Sequence, residues 1–196
     1  MGLFRSTEYK STELSAFKKW SSHHERFAPT RENGLEETVR ARRNTTCRRT
    51  KNFTCVSDAW LDLIKSLENK EPLEQLDAIN RHLNKAAYVT DMVNWQQQDY
   101  WATIHQFFSK DGDCEDYAIA KYYSLVELGF NSDDMRIVIV EDTNLKIAHA
   151  VLAVYFENEI WILDNQISAL LSHKNIVHYL PLYSINEKAW WLHKVS

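Results

Sequence analysis

Cys114, His149 and Asp164 follow one another along the chain in the order of a thiol nucleophile, a base and an acid that can orient the base. The cysteine lies in "KDGDCEDYAIAKYY", among four carboxylates, Asp111, Asp113, Glu115 and Asp116. A thiol reacts as its thiolate, and neighbouring negative charge opposes that ionisation. Local structure works the other way. Asp111-Gly112 is a turn signal, and Asp113 with Asp116 three positions later resembles a capping box, so a helix is expected from Cys114 to about Leu128, stopped by Gly129. Cys114 then takes the first helical position, where unsatisfied backbone N–H groups and the helix dipole favour a thiolate. It also shares a stripe with Ala118, Tyr122 and Leu125, and on helix position alone it reads equally well as a small hydrophobe opening a core helix.

The histidine and the aspartate fall in strand patterns. In "KIAHAVLAVYF" His149 alternates in phase with Val151, Ala153 and Tyr155, and in "IWILD" Asp164 alternates with Ile160 and Ile162. A two-residue turn at Glu157-Asn158 sets Asp164 opposite Val151 and makes His149 its diagonal neighbour on one face; a three-residue turn separates them. Polar groups inside apolar strands are costly unless partnered, so a structural His–Asp pair is one reading. The order cysteine, histidine, aspartate turns the balance toward nucleophilic catalysis. The acids have a reading of their own. Asp113, Glu115 and Asp116 at a turn-to-helix junction can converge on calcium, which takes six to eight oxygen ligands and would screen them from the thiol. Simple N-capping accounts for Asp113 and Asp116 but leaves the crowding unexplained.

These residues need a helix and a sheet to hold them. Residues Leu14 to Tyr88 read mainly helical. "SDAWLDLIKSLENK" opens on Ser57 or Asp58 as a cap, and "PLEQLDAINRHLNKAAY" carries Pro72 in its first turn. "WQQQDYWATIHQFFSKDG" reads as an aromatic, packed loop. From Met135 the pattern changes to "MRIVIVE", "KIAHAVLAVYF" and "IWILD", which are β-branched and aromatic. Helices first and strands later predict an α+β architecture, one two-lobed domain over residues 1–196 with 1–130 mainly helical and 131–196 mainly strands. The 196 residues, 44% of them hydrophobic, suffice for a real core.

A net charge of −4 argues against general attraction to nucleic acid, and the basic run Arg40 to Lys51 reads as a solvated loop or helix end. The start lacks the apolar core of a signal peptide, and the longest apolar stretch, Ile147 to Phe156, is too short to span a bilayer. The expectation is a cytoplasmic protein, or a mature form whose export signal has been removed, with no direct membrane insertion. Asn44-Thr45-Thr46 and Asn52-Phe53-Thr54 match the glycosylation pattern, which is common by chance. Cys47 and Cys55 are compatible with a small disulfide loop or with two free thiols, and no zinc spacing is present.

The stretch "QLDAINRHLNKAAYVTDMVNWQQQDYWATIHQFFSKDGDCEDYAIAKYYSLVELG", followed by "AHAVLAVY" and "ILDNQ", resembles the bacterial transglutaminase-like cysteine proteinases, from about Leu14 to the C-terminus. The resemblance implies a papain-like, transglutaminase-like fold with Cys114 as nucleophile, His149 as general base and acid, and Asp164 orienting the imidazole. It implies calcium bound at the acidic motif. The implied substrate is the N-terminal region of a large surface adhesin, typically cut at a di-alanine site, which releases the adhesin and disperses biofilm. An inner-membrane cyclic di-GMP receptor is the implied restraining partner. The implied compartment is the periplasm, so the missing export signal is read as truncation, and an oxidising compartment suits a Cys47/Cys55 pair. Two departures touch the segment before the nucleophile: Ile104-His105 stands where relatives more often have proline and an acid, and "WQQQ" lacks a usual glycine. They bear on substrate and receptor contacts rather than on Cys114, His149 and Asp164. A transglutaminase-type acyl transfer to an amine uses the same three residues, and an inactive calcium-dependent binding module is the reading from another class.

Overall fold

The computed structural model describes residues 2–35 and 55–195. The basic run Arg40 to Lys51, both glycosylation triplets and Cys47, with its pairing to Cys55, lie outside the described residues. Among these residues are a seven-stranded antiparallel sheet and helices gathered mainly ahead of it in sequence, an α+β arrangement. The strands are β1 (Thr7–Ser11), β2 (Met135–Asp142), β3 (Ile147–Phe156), β4 (Glu159–Leu163), β5 (Leu171–Ser172), β6 (Tyr179–Ile185) and β7 (Trp190–Lys194), in spatial order β1-β7-β6-β2-β3-β4-β5.

The β3–β4 register follows from its turn. Phe156 pairs with Glu159, and Glu157 and Asn158 between them adopt φ of 51° and 61°, the left-handed pair that a tight two-residue hairpin requires. The ladder ends at Leu152 opposite Leu163, so the chain leaves β4 at Asp164 beside the early part of β3. On β3's other side, β2 pairs Val140 with His149. The polar strand β1 carries no apolar alternation that would announce it. It is set by pairing with β7, Ser11 opposite Trp190 and Thr7 opposite Lys194.

The helices are α1 (Lys18–Asn33), α2 (Val56–Leu67), α3 (Pro72–Leu83), α4 (Asp91–Trp95), α5 (Ile104–Lys110) and α6 (Cys114–Glu127). Pro72 opens α3 as expected, because its missing N–H falls where no intrahelical partner exists. Helix α2 starts earlier than the expected Ser57 or Asp58 cap: Cys55 is the residue before it, and no side chain caps it. The segment expected as a packed loop contains α5. Thr103 Oγ1 accepts from the Gln106 backbone N–H at 3.4 Å, and Gln106 Oε1 accepts from the Thr103 N–H at 2.9 Å, a reciprocal capping box. Helix α6 ends at Glu127, and Gly129 follows at φ 91°, a left-handed stop that favours glycine.

Two apolar clusters flank the sheet. On one face Ala118, Ile119, Tyr122 and Leu125 of α6 join Ile137, Leu152, Val154 and Leu163 of the strands, with Trp60, Leu76, Ile79 and Leu83 of α2 and α3. On the other, Val138, Val140, Val151, Ala153 and Ile162 join Leu3, Phe4, Ile176 and Tyr179. Each fully buried aliphatic side chain contributes roughly 1.5–3 kcal/mol. The consequence for function is positional: α6 lies against β3, so the start of one is fixed relative to the other. No helix among the described residues is long and apolar enough to cross a membrane.

Candidate active site

Helix α6 begins after a turn that glycine makes possible. Asp111 sits at φ 60°, and a Cβ on Gly112 would come within 2.6 Å of the Asp116 Cβ. The expected capping box does not form. Asp113 precedes the helix in an extended conformation, but its side chain accepts no bond from the first turn. Its Oδ2 accepts instead from the Asp91 backbone N–H at 3.2 Å, and the buried Asp116 accepts from the Ala102 N–H at 2.7 Å. Both carboxylates reach across to the segment preceding α5, a tertiary choice that local spacing does not encode.

His149 and Asp164 meet. His149 Nε2 lies 2.8 Å from Asp164 Oδ1, with the residues 2% and 1% exposed. Three further bonds fix the aspartate: Tyr179 Oη donates to Oδ2 at 2.6 Å, the Gln166 N–H donates to Oδ1 at 2.8 Å, and Asn84 Nδ2 donates to the Asp164 carbonyl at 2.7 Å. Burial alone would push this carboxyl up. The bonds from His149, Tyr179 and Gln166 outweigh it and hold the carboxyl below its usual range. An ionised Asp164 accepts at Oδ1, so the imidazole carries its proton on Nε2 and presents a lone pair at Nδ1. Gln166 Nε2 lies 3.4 Å from that atom. Tyr179, Gln166 and Asn84 were absent from the sequence reading. Only Gln166, two residues after Asp164 in an aspartate turn, carries a local signal.

Cys114 is half-buried, and its thiol donates to Glu115 Oε2 at 3.1 Å. It lies beside the backbone N–H of Ala150, the residue after His149, so the start of α6 faces the histidine's stretch of β3. Burial pushes the thiol up first, and Glu115 and Asp113 add to it through charge and the hydrogen bond; the Ala150 N–H opposes them. As these acids stand, they hold the sulfur protonated.

The acids themselves are under stress. Ligand oxygens of Asp91, Asp113 and Asp116 lie within 4.8 Å of one another, and so do those of Asp91, Asp99 and Glu115. Asp113 and Asp116 thus come together with Asp91, a residue the sequence reading missed, while Glu115 falls in the adjoining group. Burial, then mutual repulsion, pushes Asp113 up to about 7, and Asp116 is raised well above the ordinary carboxylate range. Asp91 rises to about 6 through burial, against the bond from Tyr100, with Asp113 and Asp99 adding repulsion. One buried oxygen on each of Asp91, Asp113 and Asp116 has no hydrogen-bond partner. Three converging carboxylates, each with one orphaned hard oxygen, are a donor set that suits a calcium ion.

Residues 43–194 match the model of a family described as bacterial transglutaminase-like cysteine proteinase. Solved structures agree. LapG of Legionella pneumophila matches at 38% identity and a TM-score of 0.63, over 70% of this chain and 76% of that one. An EGTA-treated form of LapG gives 38% and 0.64, over 71% and 77%. The calcium-bound form gives 33% and 0.66, over 81% and 85%. No curated protein sequence matches the chain.

Proposed function

The chain belongs to the bacterial transglutaminase-like cysteine proteinases, and from that premise we propose that it is a calcium-dependent endopeptidase working through Cys114, His149 and Asp164. The observation that carries this reading is the buried His149–Asp164 pair at 2.8 Å, set against the helix start that bears Cys114. We further propose, from the motif resemblance, that the substrate is the N-terminal region of a large surface adhesin, and that cutting it releases the adhesin and disperses biofilm. In the same reading the protein works in the periplasm, as one two-lobed domain, restrained by an inner-membrane cyclic di-GMP receptor.

The mechanism is acyl transfer to water. His149 Nδ1 takes the Cys114 proton, and the thiolate attacks the scissile carbonyl. The developing oxyanion is met by backbone N–H groups of the first turn of α6, which no side chain caps. The imidazolium, its Nε2–H held by Asp164, passes its Nδ1 proton to the leaving amine as the C–N bond breaks. Neutral His149 then draws a proton from water, whose oxygen attacks the thioester and regenerates the thiol. Asp91, Asp113 and Asp116, with Glu115 alongside, would hold calcium, which supplies positive charge beside a thiol that the bare acids keep protonated. Tyr179 holds the second oxygen of Asp164, so the carboxylate presents a single face to the imidazole.

The direct test is incubation with N-terminal fragments of large adhesins from the same genome, with calcium, followed by mass mapping. One fragment cut at a defined peptide bond is the expected result. No cleavage of any fragment, or incorporation of an amine into a glutamine substrate instead, would overturn the peptidase assignment.

Asp164→Asn is expected to lower turnover by roughly a thousandfold or more. Asp164 accepts from His149, Tyr179 and Gln166, and an amide in its place has one acceptor oxygen and an NH2 that must face a donor. The imidazole then loses its Nε2–H tautomer. Steady-state kinetics on a cleaved peptide reads the effect, and a loss below about tenfold would make Asp164 structural.

A further inference from the structure

Tyr179 touches both members of the His149–Asp164 pair and is itself held from outside it. Its hydroxyl donates to Asp164 Oδ2 at 2.6 Å, and its ring lies against the His149 ring, 5.6 Å between centroids. Any tilt of this ring therefore moves the hydroxyl that fixes the aspartate. The neighbour that opposes such a tilt comes from far away in sequence. Phe4 meets Tyr179 edge to face, 5.9 Å between centroids with the planes at 84°, an arrangement that two aromatic quadrupoles favour.

Phe4 reaches that place by a costly route. Leu3–Arg5 form a short 3-10 turn ahead of β1, and inside it Phe4 adopts φ 48° and ψ 38°, followed by Arg5 at φ 65°. Left-handed backbone at two consecutive residues with side chains is unfavourable and persists only where the surroundings impose it. Here the short 3-10 turn His173–Asn175 does so. The Phe4 N–H donates to His173 Nδ1 at 2.9 Å, the Arg5 guanidinium donates to the Lys174 carbonyl at 3.0 Å, and Ser6 Oγ closes the turn on the Leu3 carbonyl at 2.7 Å. The His173 ring also flanks the Phe4 ring, 6.1 Å away at 67°. Phe4 is buried in the apolar cluster that contains Tyr179 and Val140, the strand partner of His149. A side chain needed only for its volume does not require such a backbone; one whose ring must face Tyr179 does. Phe4 also lies outside residues 43–194, the stretch that matches the family.

We propose that Phe4 is a positioning residue for Asp164: packed on the Tyr179 ring, it keeps the Tyr179 hydroxyl on Oδ2 and so reserves Oδ1 for the imidazole. The proposal rests on the reading of His149 and Asp164 as the catalytic pair. Without the Phe4 ring, Tyr179 gains room to tilt and its hydroxyl leaves Oδ2. Both carboxylate oxygens then compete for the imidazole Nε2–H, and Nδ1 loses its fixed aim at the sulfur. Phe4 is buried behind the pair, so substrate binding is expected to be untouched.

The test is a double-mutant cycle of Phe4→Ala and Tyr179→Phe in intact, calcium-loaded protein, read as kcat and KM below the melting transition of every variant. Phe4→Ala is expected to lower kcat roughly ten- to a hundredfold with KM unchanged, the size of a loss of positioning away from the chemistry. Phe4→Leu, which keeps most of the apolar volume, is expected to lose about threefold. In the Tyr179→Phe background, where no hydroxyl remains to be positioned, Phe4→Ala is expected to cost nothing further. Losses that multiply to within about twofold would sink the proposal, because independent sites behave that way. So would a lowered melting temperature with native kcat, the signature of a residue that only fills space. Should Phe4→Ala not fold, the same cycle is run with Phe4→Leu, and native kcat in that variant would count against the proposal in the same way. Alkylation of Cys114 in calcium supplies a reading that needs no peptide, since His149 draws the thiol proton there too. It is expected to slow in Phe4→Ala and to show the same cycle. A slowed alkylation in a chain that cuts no peptide would defeat the peptidase reading and leave the role of Phe4 standing.

Discussion

Cys114→Ala is expected to abolish peptide cleavage, with a loss of about 10⁴-fold or more, while the melting transition stays close to that of the native chain. The two halves of this expectation have separate physical grounds. Cys114 is the one free cysteine among the described residues, and the proposed mechanism uses no other nucleophile. Stability is spared because the residue is half-buried at a helix start, where alanine fits with equal ease and better helix propensity. The side-chain hydrogen bond lost is the weak one from the thiol to Glu115, together with the approach of the Ala150 N–H to the sulfur. Losing it also removes a contact that holds a carboxylate beside the nucleophile. Product mapping by mass spectrometry, together with a thermal melt, reads both halves. Cleavage that persists in the variant would remove Cys114 as nucleophile. Loss of the melting transition would show that the thiol's packing, rather than its chemistry, had been tested.

How much of this could be read from the residues differs from element to element. The turn at Asp111-Gly112, the helix from Cys114 and the Gly129 stop were legible because turn and cap residues act over three or four positions. The His149–Asp164 contact was legible for a related reason: strand alternation has a period of two, and a two-residue turn leaves the register a single solution. What failed was long-range. Asp113 and Asp116 have the spacing of a capping box, but each finds a competing partner in the segment from Asp91 to Ala102, and tertiary bonds won. Asp91 and Tyr179 enter the site from 22 residues before Asp113 and 15 after Asp164, and neither has a local pattern that marks it. Lys121 has no local pattern that marks it, yet its side chain is fully buried. Strand β1 was invisible because an edge strand of alternating polar residues is defined by its neighbour, here β7.

Exhaustive chelation with EGTA is expected to stop cleavage, and calcium is expected to restore it where magnesium at equal concentration does not. The argument starts from the sign of the local field. With the acids uncompensated, burial, Glu115 and Asp113 all raise the thiol, so the thiolate is disfavoured. Raised carboxylates at Asp91, Asp113 and Asp116 are the other face of the same problem: each oxygen is desolvated and repelled by its neighbours. A divalent cation resolves both at once, favouring the ionised carboxylates and reversing the potential at the sulfur. Calcium suits the place because it accepts an irregular set of six to eight oxygens, whereas magnesium demands a near-ideal octahedron and gives up its waters reluctantly. Asp116→Asn separates charge from structure. The amide oxygen can still accept from the Ala102 N–H, so the fold is expected to survive, while one ligand charge is lost. That variant is expected to need more calcium for half-maximal cleavage, and at limiting calcium to behave like the chelated native chain. The thiol gives an independent reading. Alkylation of Cys114 by a thiol-directed reagent is expected to require a higher pH in EGTA than in calcium, since the cation lowers the energy of the thiolate. Full cleavage after exhaustive chelation, with an unchanged alkylation profile, would leave the acids with no role beyond tying the start of α6 to the segment before α5.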